Sequence, residues 1–431
     1  MPVCYSMRRR TFLVRSTCAA AALGVTALGC REKKPSAHSA IGHPGRESRP
    51  EMPLAAAEPL PGGEVARPEP DSHEFAGPDT MDDALALLSK SGPGRGNHAP
   101  MGAEALVTMG HGAKVVAWVE AYMRHKGMEP RPTGRVLVAA EQDRTLGDID
   151  RVGDWNATFR HAIAEAPWSD VLRAWLPRLL PGLAGAATHG IIRTSHAVRS
   201  LGRVDNALRR NELADALAYW AAFYQPIVPL AGPGAGQDTQ DGGRQPRRVS
   251  QALSDVPIVA RANRVRGMTG SLRARANDPA FTAIAYSAHP APGHEASFLS
   301  DMSATFAGIY VAHGAHATIP FIHAVTGPAA LRLLLPYMEP ETQRDSLRYG
   351  WQTGAGLWSS FAPGPVPVVD EGALPAPGVE RWRTALDRAA EGGDVHAIKL
   401  AELCWRESRY GTSGRDAAVY LAAAEDVAAR L

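Results

Sequence analysis

Ala187-Thr188-His189-Gly190-Ile191-Ile192-Arg193-Thr194-Ser195-His196-Ala197-Val198-Arg199 is an apolar, helix-compatible run carrying two histidines seven residues apart. The spacing returns at His316-Ala317-Thr318-Ile319-Pro320-Phe321-Ile322-His323-Ala324-Val325, and both copies read His, six residues, His-Ala-Val. Seven residues is close to two helical turns, so each pair is expected on one face of its helix. Outward from these runs, hardly any segment shows two-residue alternation. Alanine and glycine are abundant and aromatics make up only 6%, which favours close-packed helices over sheets. The expected fold class is mainly α: a multi-helix globular domain, with two related helical halves, about 79–230 and 250–431, around a central cleft.

The chain has 431 residues, 45% of them hydrophobic, which is ample for a large core. A net charge of +2, with basic residues scattered, gives no reason to expect a nucleic-acid partner. Cys4, Cys18 and Cys30 fall near the start and Cys404 stands alone, so the folded part has no thiolate zinc site or internal disulfide.

Residues 1–30 read as an export signal. Arg8-Arg9-Arg10-Thr11-Phe12-Leu13 resembles a twin-arginine motif, an apolar run from Cys18 to Leu28 follows, and Leu28-Gly29-Cys30 resembles a lipoprotein cleavage box. The run is too short to span a bilayer. The expectation is an exported protein, periplasmic or held at the outer side of the inner membrane by a lipid anchor at Cys30. Residues 31–78, rich in Pro, Gly, Glu and Ser, read as a disordered linker. The helical domain is expected over 79–431, with a low-complexity loop at 231–248. Within it Val136–Val138 reads as a short strand with no evident partner, Leu183–Leu201 as one helix, and His316–Thr326 as a helix that Pro320 must kink.

The histidines carry the chemistry. Seven residues along one helix is ~10.5 Å, so one helix cannot aim both members of a pair at one ion. Antiparallel packing of the two helices instead brings His189 to His323 and His196 to His316. Neither run contains an acid, and the Glu-x-x-His pattern of di-iron bundles is absent. A substrate cleft lined by neutral histidines acting as acids or bases is the other reading; buried histidines that merely satisfy one another is the third. Ser195 has no acid partner at a triad spacing. No C-x-x-C-H is present, which excludes covalent haem. The glycines at 92–96 are not a dinucleotide fingerprint.

Four segments together resemble one known family: Asn97-His98-Ala99-Pro100-Met101, Thr188 to Arg199, His316 to Pro328, and His396-Ala397-Ile398-Lys399-Leu400. They resemble the questin oxidase-like family, and the resemblance covers about residues 80 to 430. Its namesake opens an anthraquinone ring by a Baeyer–Villiger-type oxygen insertion with a reduced nicotinamide cofactor. The resemblance implies a monooxygenase acting on a small aromatic or polyketide-like substrate, with NADPH as reductant. Its matching positions, His98, His189, His196, His316, His323 and His396, are the candidate catalytic residues. His189, His196, His316 and His323 are expected around the substrate or an ion, with His98 and His396 at the margin. Against the resemblance stand the export signal, the long loop, and the lack of any flavin or dinucleotide fingerprint. A histidine-ligated metal or haem redox protein and a non-catalytic exported helical protein are the alternatives.

Overall fold

The computed structural model describes residues 77–90, 98–127, 130–229, 247–374, 376–410 and 414–431. These all belong to one compact unit, Gly62–Leu431. The expected export signal and most of the linker and low-complexity loop lie outside the described residues.

The described chain is mainly helical. The first half gives α1 (Met81–Leu88), α2 (Ala99–Thr108), α3 (Gly112–Lys126), α4 (Ala139–Thr145), α5 (Val152–Glu165), α6 (Trp168–Leu179), α7 (His189–Arg203) and α8 (Ala207–Ala222). The second gives α9 (Val249–Leu253), α10 (Met268–Ala276), α11 (Pro279–Thr282), α12 (Glu295–His313), α13 (Thr318–Ala329), α14 (Pro340–Phe361), α15 (Val379–Gly392), α16 (Val395–Ser408) and α17 (Gly414–Arg430). Among the described residues none of these helices is long and apolar enough to cross a membrane.

Four helices form the centre. α2 packs on α7, α7 on α13, α13 on α16, and α16 back on α2, closing a ring to which each half contributes two helices. α3, α8, α12, α14 and α17 pack around it. The central helices are buried on nearly all sides: α7 is buried from Gly190 to Leu201 and α16 from Ala397 to Glu407.

Two glycines let these helices approach. A Cβ on Gly190 would lie 2.7 Å from the Trp220 ring of α8, and one on Gly327 would lie 2.7 Å from Thr188 Cγ2. Both distances are shorter than real carbon contacts, so α7 packs on α8, and α13 on the start of α7, only with glycine there.

Three local expectations are corrected. Val136–Val138 is not a strand; it precedes α4 as extended chain with no ladder partner. The helix expected over 183–201 begins only at His189, because Ala186, Ala187 and Thr188 have φ of 48°, 54° and 73°. Pro320 does not kink its helix. α13 starts at Thr318, which puts the proline in the first turn, where a backbone N–H has no intrahelical acceptor and its loss costs nothing. His316 therefore lies before α13, not on it.

Candidate functional site

The site is built from helix beginnings. His98 immediately precedes α2, His189 is the first residue of α7, and His396 is the second of α16. Only His323 comes from mid-helix, in α13. Each start is fixed locally. The His98 backbone N–H donates to Tyr122 Oη at 3.1 Å, tying α2 to α3. Asp394 caps α16 by accepting from the N–H groups of His396 and Ala397 at 2.8 and 3.2 Å. Just before it, the Gly393 carbonyl accepts from Trp118 Nε1 at 2.9 Å. The start of α7 is fixed by the left-handed turn Ala186–Thr188.

The four imidazoles form a closed ring. Centroid separations are 4.3 Å for His98–His189, 4.6 Å for His189–His323, 5.8 Å for His323–His396 and 5.1 Å for His98–His396. Nitrogen atoms of His98, His189 and His396 all lie within 4.8 Å of one another. Ligand nitrogens around a shared ion at ~2.1 Å would be roughly 3–4 Å apart, so these rings need move inward by only about 1 Å to bind one ion.

The ring orientations are set by the nitrogen facing away from the cluster. His189 Nδ1 bonds the Ala186 carbonyl at 2.5 Å. A carbonyl only accepts, so Nδ1 carries the proton and Nε2 keeps its lone pair. His323 Nδ1 lies 3.2 Å from Thr188 Oγ1, and the Ala187 carbonyl raises this ring's proton affinity. His396 Nδ1 lies 3.5 Å from Asp394 Oδ1. The Nε2 atoms of His189 and His323 are buried without a protein partner. An imidazole whose outer N–H is held by a carbonyl or carboxylate while the other nitrogen stands free is the arrangement of metal-ligating histidines.

Burial keeps the cluster neutral. It pushes His189 down to about 3, with Lys399 adding repulsion, and holds His98 and His323 well below the usual histidine range. His396 is lowered by burial too, against the pull of Asp394. The positive ends of α2, α7 and α16 oppose imidazolium in the same sense. Lys399, one turn beyond His396 and 2% exposed, is pushed down to about 7 by burial. Four imidazoles held neutral and an amine close to neutrality thus lie together at the helix starts.

This arrangement is costly to the fold. Two unsatisfied buried acceptors cost roughly 1–3 kcal/mol each, and three consecutive left-handed non-glycine residues cost about 1–2 kcal/mol each. Local residue preferences oppose the turn, so the packing around it must outweigh this cost.

Six candidate histidines divide four to two. His98, His189, His323 and His396 come together, and His98 and His396 are in the ring, not at its margin. His196 and His316 do not join it, and the expected His196–His316 meeting is absent. His316 is exposed, on the segment between α12 and α13. His196 faces a buried ionic layer, its Nδ1 2.6 Å from Glu104 Oε2. Arg199 grips the same Glu104 carboxylate through Nε and Nη2 at 2.9 and 2.6 Å, and bonds Glu402 as well. Glu104, His196, Arg199 and Glu402 follow the helix starts by six to ten residues, so this layer lies ~9–15 Å along the helices below the histidine ring. It links α2, α7 and α16 and fixes the spacing of their starts. Burial would raise the Glu104 carboxyl, but Arg199 and Arg203 beside it hold it well below the usual carboxylate range.

Sequence reasoning did not select Lys399, Thr188 or Asp394 for the site. Lys399 had a legible signal: a lone lysine amid Val395-His396-Ala397-Ile398 and Leu400, at helical spacing from a histidine. Thr188 had none, because its role depends on a left-handed backbone that the residue types Ala-Ala-Thr do not announce.

No protein-family model matches this chain, and a comparison with curated proteins gives no match.

Proposed function

We propose that this chain is an oxidoreductase that oxygenates a small aromatic, polyketide-like substrate at a metal centre formed by the histidine ring. One observation carries the reading. Four neutral imidazoles from four different helices converge, His323 buried and the other three half-buried, with the Nε2 atoms of His189 and His323 unpaired and His189 Nδ1 held by a carbonyl. His98, His189 and His396 would hold the ion, with His323 as a fourth nitrogen. An all-imidazole donor set suits Fe, Cu, Ni or Zn over Mg or Ca. A redox-active ion there would supply Lewis acidity and one-electron chemistry.

The protein's own part follows from the geometry. The surrounding helices lower the local dielectric, which strengthens each electrostatic contact in the site. Lys399, neutral in part near pH 7, is the group to accept a phenolic proton and leave an electron-rich ring for O2 to attack. The segments that resemble the questin oxidase-like family are the ones that deliver His98, His189, His323, His396 and Lys399, which supports the oxygenase reading over a bare metal carrier. NADPH stays as the reductant which that resemblance implies. Export, with a lipid anchor at Cys30, is part of the same proposal.

The test is metal analysis of protein purified without chelator, followed by oxygen uptake with anthraquinone and phenolic substrates, with and without NADPH. The expected result is one first-row ion per chain, lost in His98→Ala, His189→Ala and His396→Ala and kept in His316→Ala. Full oxygen uptake by a His189→Ala/His323→Ala variant, or by metal-free protein, would refute it.

A further inference from the structure

Ala186, Ala187 and Thr188 are three successive non-glycine residues with left-handed φ, and they are the only non-glycine positions of positive φ among the described residues. Their ψ values are 37°, 49° and 1°, so the segment makes a left-handed turn directly before the right-handed α7. Packing holds it in place. A Cβ on Gly185 would lie 2.3 Å from the Phe223 carbonyl oxygen, and Thr188 is wedged against Gly327 of α13. Thr188 is fully buried.

The turn reverses where its carbonyls point. In a right-handed helix reaching back through 186 and 187, those carbonyls would be spent on N–H groups of residues 190 and 191. In the left-handed turn the Ala186 carbonyl accepts from His189 Nδ1, and the Ala187 carbonyl raises the proton affinity of the His323 ring. Thr188 Oγ1 lies beside His323 Nδ1. One short turn therefore grips the outer nitrogens of two histidines that belong to different helices and different halves of the chain.

We infer that Ala186, Ala187 and Thr188 are positioning residues whose carbonyls and hydroxyl lock His189 and His323 as Nδ1–H tautomers, aiming both Nε2 lone pairs into the ring. The inference rests on the metal-centre reading for its purpose, while the tautomers themselves belong to the metal-free protein. Thr188 has a second consequence: a β-branched hydroxyl residue is forced to left-handed φ because its methyl packs on Gly327 while its oxygen reaches His323. Serine keeps the oxygen; valine keeps the shape and loses it.

The experiment is 15N imidazole NMR on metal-free protein, with Co2+ titration of the wild type and of Thr188→Val, Thr188→Ser and Ala187→Gly. His189 and His323 are expected as neutral Nδ1–H tautomers; an Nε2–H tautomer at either overturns the inference. Thr188→Val is expected to weaken Co2+ binding about 10- to 100-fold, and Thr188→Ser to restore it to within about threefold. Equal Co2+ affinity for Thr188→Val and wild type overturns the role of the hydroxyl. Ala187→Gly, which suits left-handed φ, is expected to melt no lower than the wild type and to keep the tautomers; a marked fall in melting temperature means that the turn is not left-handed and overturns the inference. Failure of the wild type to bind any first-row ion, with both tautomers Nδ1–H, would sink the metal reading and leave the positioning intact.

Discussion

Lowering the pH from about 7 to about 5.5 tests the neutral histidine ring most directly, because an unfolded histidine titrates in that window and a ring histidine does not. His189 is held at about 3, and His98 and His323 lie well below the ordinary value. An unfolded histidine with pKa ~6.5 goes from about a quarter to about nine-tenths protonated over this range. The unfolded state therefore binds more protons than the folded one, and stability must fall as the pH falls. The contribution is complete above about 6.5 and is lost below it. Integrated over the window, each such group gives a little over 1 kcal/mol, so these three give about 4 kcal/mol. His396, lowered less decisively, adds to the same sign. The Glu104 carboxylate, held well below its usual range, contributes its own loss only at more acid pH, through the carboxylate range, and leaves the window to the histidines. The assay is urea unfolding of the metal-free protein at three pH values across the window. His323→Gln should reduce the loss by about 1 kcal/mol. An unfolding free energy that changes by less than about 1 kcal/mol across the window, or an undiminished loss in a His98→Gln/His189→Gln/His323→Gln variant, would refute the reasoning.

Three further outcomes follow from the same structure. Glu104→Gln leaves the Arg199 guanidinium short of a buried counter-charge and should cost about 3–5 kcal/mol in urea unfolding; a loss under about 1 kcal/mol would show that the ionic layer is not formed. Lys399, at about 7 in the fold against 10.5 when free, makes wild-type stability rise with pH between those values, since the unfolded state then binds more protons. Lys399→Met should remove that rise, raise stability at neutral pH and abolish oxygen uptake, and a flat wild-type profile from pH ~7 to ~10 would contradict it. Gly190→Ala places a Cβ 2.7 Å from the Trp220 ring, and the overpacking should cost about 1–3 kcal/mol by thermal or urea unfolding.

The two histidine-pair runs show how far local pattern reaches. Seven-residue spacing puts His189 and His196 on one helical face, and the structure has both on α7, yet they serve different layers. The distance along the axis that forbids one ion between them also separates the ring from the ionic layer. In the second run the spacing misled. Thr318-Ile319-Pro320 starts a helix, so His316 falls outside it and only His323 faces inward. Asp394 has a local signature, an aspartate directly ahead of the apolar helical run that starts at Val395. His98 and His396 were legible as family marks but read as marginal, because nothing in a sequence says that two helix starts three hundred residues apart meet.

Composition and periodicity, acting within a few turns of chain, determined that this protein is a helical domain and marked the histidine-bearing runs that lie at its centre. Only the tertiary structure decided which histidines meet. Their convergence depends on how α2, α7, α13 and α16 close on one another, on glycines that let two of those contacts be short, and on a left-handed turn at Ala186–Thr188 that local residue preferences oppose and long-range packing enforces.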